Sequence, residues 1–416
     1  MTIAEPAAAA QIRVLSALTD IPRTDWDACA NPGWASDGTA PAGKTPPVAY
    51  NPFLAWDFLQ ALEESGSASR KTGWSPRHLV LEDPTGSPAA VMPCYAKSHS
   101  QGEYVFDWGW ADAFERAGGN YYPKLQVSVP FTPATGRRLL VRPGVDENRT
   151  RSLLVAGLLE LTRLHGASSA HLTFLPKEEW DLLGETGLLQ RTDQQFHWVD
   201  DGYGTFDGFL AALASRKRKA VRKERRDALS AGIEIEWLTG QAITEKHWDA
   251  FFGFYMDTGS RKWGQPYLNR RFFSMLGQRM ANRVLLIMAK RQGRYVAGAL
   301  NLIGSETLYG RYWGCTEEHP LLHFEVCYYQ AIDFALAHGL SRVEAGAQGE
   351  HKLARGYMPQ ITYSAHYIAN PGLRDAVERY LVHERQQVAM TNAVLAEHGP
   401  FRHGDTTEPR EPGEAE

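Results

Sequence analysis

Long apolar runs are missing from this chain. Stretches such as "VLLIMA" (284–289) fall far short of the roughly 20 residues that a membrane-spanning helix needs. No basic segment followed by an apolar one opens the sequence, so no export signal is visible. Cysteine is scarce. Cys29, Cys94, Cys315 and Cys327 form no C-x-x-C pair, which argues against a zinc site or a disulfide framework. Free thiols in a reducing cytoplasm are the expectation. An excess of positive charge is also lacking. The formal net charge of -4 gives no global reason to expect nucleic acid or an anionic membrane as partner, so such a partner needs a local patch. No G-x-S-x-G, Walker loop or H-E-x-x-H occurs, which weakens hydrolase, nucleotidase and metalloprotease readings.

What is present is the balance of a globular protein, 43% hydrophobic and 22% charged, in a chain of 416 residues. That length is too great for one ordinary core, so two domains are expected. Internal similarity supports this. "IRVLSALTDIPRTDWDA" (12–28) resembles "IEIEWLTGQAITEKHWDA" (233–250), with Trp26-Asp27 and Trp248-Asp249 in matching places. "HLVLEDPTGSPAAVMPCYAK" (78–97) parallels "VLLIMAKRQGRYVAGALNLI" (284–303), and both read as hairpins. Each is followed by an aromatic stretch with Trp-Gly, "YVFDWG" (104–109) and "LYGRYWG" (308–314), read as a strand. A helix ending in His-Gly and a new strand come next, in 152–175 and 325–347. Four matches in one order predict a duplicated mixed α/β unit with helices on both faces of its sheet. The match breaks at 110–150, where the first copy carries extra residues.

One charge run stands out. In "FLAALASRKRKAVRKERRDALSAG" (209–232), eight of the eleven residues from Arg216 to Arg226 are basic. Spacing puts Leu210, Leu213, Ala220, Val221 and Ala228 on one helical face, interrupted by Lys217 and Glu224. A solvated helix face is the bland account. A single-signed run is costly without an anionic partner, so Lys217, Arg218, Arg222 and Arg225 are candidate polyanion-binding residues.

Chemistry is expected at the strand ends of the second copy, where a crossover helix opens a crevice. "GAQGEHKLARGY" (346–357) falls there, and nothing like it follows the matching strand "HLTFL" of the first copy. Glu350 or His351 is the expected proton acceptor, and Tyr328 or Tyr357 the expected donor to a leaving group. Arg311, Lys352 and Arg355 are expected to hold an anionic group. Trp313, His323, Glu325 and Gln348 complete the neighbourhood. Each of them also has a plain surface or core explanation. His323 and Glu325 lie two apart and do not share a helix face, and no metal ligand set accompanies them, so no metal is expected.

The order of strands and helices resembles two tandem GNAT acyltransferase domains of the Fem-like kind. The blocks "YYPKL", "PFTPATGRRLL", "AGALNL", "LYGRYWG", "HFEVCYYQ" and "EAGAQGEHKLARGY" resemble the bacterial predicted N-acyltransferases, often labelled peptidoglycan biosynthesis proteins, over roughly residues 50–370. The resemblance implies a GNAT-like domain over 1–205 and a second over 206–371. The second begins with the basic joining helix (206–231). A last helix (372–401) and a disordered tail (402–416) follow. It implies a cytoplasmic enzyme, without a transmembrane segment, that transfers an acyl or aminoacyl group to an amine of a small molecule or envelope precursor. No tightly bound cofactor is implied, and the donor is acyl-CoA or aminoacyl-tRNA. A non-catalytic RNA- or polyanion-binding module is the rival. Two departures matter. Neither crossover-helix start carries the Q/R-x-x-G-x-G/A pyrophosphate loop of acetyl-CoA enzymes, and no long helical arm of the tRNA-dependent Fem enzymes interrupts 233–370.

Overall fold

The computed structural model describes residues 11–262, 266–346 and 349–402; of 260–262 and 350 it describes the backbone alone. The first half contributes strands β1 (Gln11–Leu15), β2 (Trp74–Pro76), β3 (His78–Glu82), β4 (Pro88–Met92), β5 (Tyr95–Lys97), β6 (Lys124–Val127), β7 (Leu140–Val141), β8 (Ser169–Leu175) and β9 (Leu189–Val199). Its helices are α1 (Arg23–Ala30), α2 (Trp56–Glu64), α3 (Trp108–Arg116), α4 (Glu147–Leu164) and α5 (Lys177–Glu185). The connection is α6 (Phe206–Ala212) and α7 (Ser215–Leu229). The second half has β10 (Ile233–Thr239), β11 (Val284–Arg291), β12 (Arg294–Ile303), β13 (Thr307–Cys315), β14 (Arg342–Glu344) and β15 (Met358–Ile368). Its helices are α8 (Glu245–Lys262), α9 (Arg270–Met280), the single turn α10 (Leu322–Phe324) and α11 (Gln330–Ala337), with the π-helical turn Glu325–Tyr329 between the last two. Helix α12 (Pro371–Glu397) follows.

Both halves begin alike. β1-β3-β4 and β10-β11-β12 are antiparallel triplets, and Trp26 and Trp248 are each buried on the helix after the first strand. They share one core with α2 and α9, so the largest apolar cluster spans both halves. The halves then exchange their last strands. The large sheet runs β10-β11-β12-β13-β14-β9-β15-β8-β6-β5-β2. β9 of the first half lies beside β14, and β15 of the second half lies beside β8. The two exchanged strands pair with each other over a long antiparallel ladder, from His197↔Met358 to Leu189↔His366.

Two expectations change. "YVFDWG" is not a strand. Its first residues form an irregular segment, and α3 begins at Trp108; the counterpart of β13 is β6, which pairs in parallel with β8 as β13 does with β14. Glu103 and Asp107 both reach the ammonium of a buried lysine there, whereas a strand would hold residues four apart at about 13 Å. The joining helix expected over 206–231 is two helices, with the basic run itself on the second. The chain leaves α6 at Leu213, which is extended and fully buried, and re-enters helix at Ser215. Leu210, Val221 and Ala228 are buried as spaced, but Ala220 is exposed.

Gly314 shows how tightly the second half is packed. A Cβ there would lie 2.1 Å from the Phe254 carbonyl oxygen of α8. Gly314→Ala is therefore expected to push α8 off β13 and cost about 2 kcal/mol, read as a lowered midpoint in urea with unchanged slope.

Candidate functional site

One face of the central sheet is polar. Residues paired across adjacent strands point the same way. Glu344 stands opposite His197, Asp193 opposite Thr362, and His366 opposite His171, which is next to Gln126 of β6. All but Asp193 are buried. Polar groups are expensive to bury unless they bond to one another or to a ligand.

A cavity of about 260 Å³ opens on this face at the seam between the halves. Asp193, Gln195 and Thr362 of the exchanged strands line it, with Tyr104, Phe106 and Phe174 of the first half and Gly349 of the second. Tyr104 and Phe174 have φ of 61° and 57°, and Phe131 nearby has 59°. Bulky L-residues seldom adopt such angles, and they do so mainly where the surroundings hold them for a purpose. Phe131 is held by its carbonyl, which accepts hydrogen bonds from the Arg311 guanidinium and the Tyr312 hydroxyl.

The strap that follows Phe131 secures the polar face. Gln195 Nε2 donates to the Pro133 carbonyl at 2.9 Å. Gln195 Oε1 is then an acceptor, so His197 Nε2, 3.1 Å away, carries the proton. Burial, aided by Arg342 and Lys352, pushes His197 down to about 3 and keeps it neutral. Glu344 accepts the Thr135 N–H, while its Oε2 has no hydrogen-bond partner. Burial lifts Glu344 to about 7 against the pull of Arg342, the Thr135 N–H, Arg311 and Arg138.

Several of the residues singled out in the sequence come together beside this seam. His351 Nε2 and the Tyr328 hydroxyl are 2.9 Å apart. His323 packs against Trp313 and Tyr328, each with ring centroids 5.3 Å away. Lys352 is buried, donates to the Gly346 carbonyl at 2.9 Å, and is pushed down to about 8 by desolvation. Gly349, at φ 120°, leaves no room for a Cβ, which would meet the His351 ring at 2.5 Å. Gln348 and the Glu350 side chain lie outside the described residues, as does the tail from 403.

Other residues are engaged elsewhere. Tyr357 is fully buried and its hydroxyl donates to the Tyr328 carbonyl at 3.1 Å, so no leaving group meets it in this arrangement. Glu325 is fully buried and takes Arg225 at 2.9 Å; Arg225 also reaches Asp333 at 2.6 Å. That corrects both expectations, because neither group faces a ligand: they lock α7 to the π-helical turn. Arg355 grips Glu224 with two hydrogen bonds of 3.0 Å and lies over the Phe324 ring at 3.4 Å. Arg311 turns to the strap rather than to His351. Lys217 and Arg218 are half-buried, while Arg222 is exposed and only loosely paired with Asp207 at 3.3 Å.

The first half holds a polar network that sequence reasoning missed. Lys124, fully buried, donates to Ser100 at 2.8 Å, Glu103 at 2.7 Å and Asp107 at 2.5 Å. Tyr121 adds a hydrogen bond to Asp107 at 2.7 Å. His171 and His366 bond through their Nδ1 atoms at 2.8 Å, and burial keeps both well below the ordinary histidine range. The tripeptide Ser-Ala-His at 169–171 and again at 364–366 was the available signal.

Among the described residues no helix is long and apolar enough to cross a membrane, and Cys29 and Cys94 are buried thiols. No curated protein matches the chain. Among solved structures, FemX is 13% identical, with 76% of this chain and 93% of that one covered and a TM-score of 0.48. L-PGS from Bacillus licheniformis is 11% identical, with 81% and 99% covered and a TM-score of 0.47. A tandem GNAT protein from the clavulanic acid biosynthesis pathway is 13% identical, with 87% and 99% covered and a TM-score of 0.44. The architecture is the mixed α/β one expected from the sequence, with two halves that begin alike. A family model described as FemAB-like, peptidoglycan biosynthesis/recognition, matches residues 17–403. With nearly its whole length matched, the chain belongs to the FemAB-like family.

Proposed function

We propose that the protein transfers an acyl or aminoacyl group onto a primary amine, on an envelope precursor or a related small molecule, at the seam cavity. The observation that carries this is the cavity itself. It opens against the exchanged strands β9 and β15, which supply Asp193, Gln195 and Thr362, and Gly349 of the second-half loop forms part of its wall. Such a reaction needs a neutral amine, a donor carbonyl within reach and donors for the developing oxyanion. Beyond Tyr309 one edge of β13 has, among the described residues, no strand beside it, which makes its N–H groups near Trp313 candidates for the donor carbonyl. Lys352 and His351 stand on the loop that borders the cavity and are the groups proposed to meet an anionic or leaving portion of the donor. Arg216, Lys219, Lys223 and Arg226 are exposed on α7 and offer phosphate contacts to a coenzyme A or tRNA donor, together with Lys217, Arg218 and Arg222.

The test uses the full chain with labelled acetyl-CoA or aminoacyl-tRNA as donor and a panel of primary amines, including amine-bearing muropeptides. A labelled amide is expected with one donor, and His351→Ala is expected to lower its formation about 100-fold. Labelled amide from neither donor, together with salt-dependent RNA binding, would establish the polyanion-binding module instead.

A further inference from the structure

The exchange of β9 and β15 lets each buried residue be compared with its counterpart in the other half. His165-Gly166 follows α4, and His338-Gly339 follows α11. Six residues beyond each of these histidines stand His171 and Glu344. Each faces a histidine on the strand lent by the other half, His366 in one case and His197 in the other. Each lent histidine bonds through Nε2 to the residue two places before it, Ser364 at 2.9 Å and Gln195 at 3.1 Å. The frame is common to both halves, and the residue set into it differs.

In the first half the place is closed. His171 and His366 bond to each other, and Trp110 packs edge-on against His366 with ring centroids 5.0 Å apart. In the second half the place holds a carboxylate that is 4% exposed, with one oxygen satisfied and Oε2 left over. A buried carboxylate oxygen without a donor costs stability, so its presence asks for a task. The same half opens onto the cavity, since Gln195, two residues along the strand from His197, lines it.

We propose that Glu344 is the proton acceptor of the reaction, taking a proton from an amine bound in the seam cavity directly or through one water, with His197 and Gln195 as positioning residues. The proposal rests on the acyl-transfer reading and deepens it. The ammonium R–NH3+ gives one proton to the Glu344 carboxylate and becomes R–NH2. Its lone pair forms the new C–N bond at the donor carbonyl carbon, whose π electrons move to oxygen. They return as the bond to the leaving sulfur or oxygen breaks and that atom departs with its electron pair. The nitrogen's second proton goes to the leaving atom, and Glu344 passes its proton to water. The products are an amide, a neutral thiol or alcohol, and one proton.

The groups around Glu344 are Arg342 on its own strand, Tyr309 and Arg311 from β13, Arg138 and the Thr135 N–H from the strap, and His197 from β9. Three arginines would hold an exposed carboxylate ionised. Burial outweighs them and leaves a group that takes and releases a proton near neutrality.

Carbon-13 carboxyl NMR of the full chain labelled at glutamate tests this, with Glu344→Gln used to assign the signal and methylamine as the probe. The expected result is a Glu344 resonance with a midpoint near neutral pH that moves when methylamine is added. In the turnover assay, Glu344→Gln is expected to lose at least 100-fold in kcat/KM and the rise of kcat/KM with pH. A midpoint in the ordinary carboxylate range with no response to methylamine overturns the proposal, as does near-normal turnover in Glu344→Gln. Should the wild-type chain turn over no donor while the resonance behaves as expected, the acyl-transfer reading fails and Glu344 stands as an amine-binding acid.

Discussion

Lys124→Ala should cost about 3–5 kcal/mol, enough to unfold a typical domain in mild denaturant. Lys124 is fully buried and is the cation between Glu103 and Asp107. Without it two carboxylates would share an enclosed site, with Lys97 the remaining cation, 3.7 Å from Glu103. Lys97 is a weak substitute. It is itself buried over the Trp74 ring at 3.7 Å, and desolvation brings it down to about 7. The damage comes from stranded charge and not from lost packing, which makes it separable. Lys124→Met combined with Glu103→Gln and Asp107→Asn should recover most of the loss, because both carboxylates lose their charge along with the lysine between them, and Lys97, already brought down to about 7, can stay neutral. Equilibrium urea unfolding of the single and triple variants checks this, and equal losses in both would show that packing, not charge, is responsible.

Glu344→Gln should make the protein more stable, and increasingly so as pH rises. The folded state holds the Glu344 proton up to about pH 7, while an unfolded chain releases it near 4.5. A carboxyl whose folded-state pKa is raised helps folding below its unfolded value, and that help disappears as pH climbs through the folded value. Over the interval the wild-type chain forfeits about 3 kcal/mol that a glutamine, which does not titrate, keeps. The two proteins should therefore be nearly equal in stability at pH 4.5 and differ by about 3 kcal/mol at pH 8. Every other titration cancels in the difference. A gap that stays constant with pH would mean that Glu344 ionises in the folded chain as it does in water. Gain of stability with loss of turnover in one variant is the pattern of a functional group kept at a structural cost.

Much of the fold was legible from periodicity. The hairpins, the helices ending in His-Gly and the two buried tryptophans follow from local spacing. The exchange of β9 and β15 was not, because strand order depends on pairings between residues more than 150 apart, such as Leu189 with His366. "YVFDWG" misled for a related reason. Its aromatic residues look like strand formers, yet Tyr104 sits at positive φ and Asp107 is drawn to Lys124, a partner fixed only by tertiary structure. The neighbourhood of Tyr328, His351 and Lys352 was found by its density of polar residues after a strand. Glu344 was overlooked, although it lies in the strand "SRVEA" that leads there, since a single acid among alternating residues reads as solvent-facing. Arg225 and Arg355 looked like free cations for the opposite reason: nothing local shows that Glu325, Asp333 and Glu224 neutralise them.

The traded strands also bear on how the chain can be made. During synthesis β8 leaves the ribosome long before β15 exists, so its inner edge must wait through nearly 200 residues of further translation for its lasting neighbour. β9, made directly after β8, has to avoid that open edge, because settling there would close the first half on itself and leave β14 without a partner. A chain cut between α7 and β10 would yield two fragments, each carrying a strand that belongs to the other. The order of birth along the polypeptide thus runs against the order of neighbours in the sheet, and the last strand to be made completes the first half.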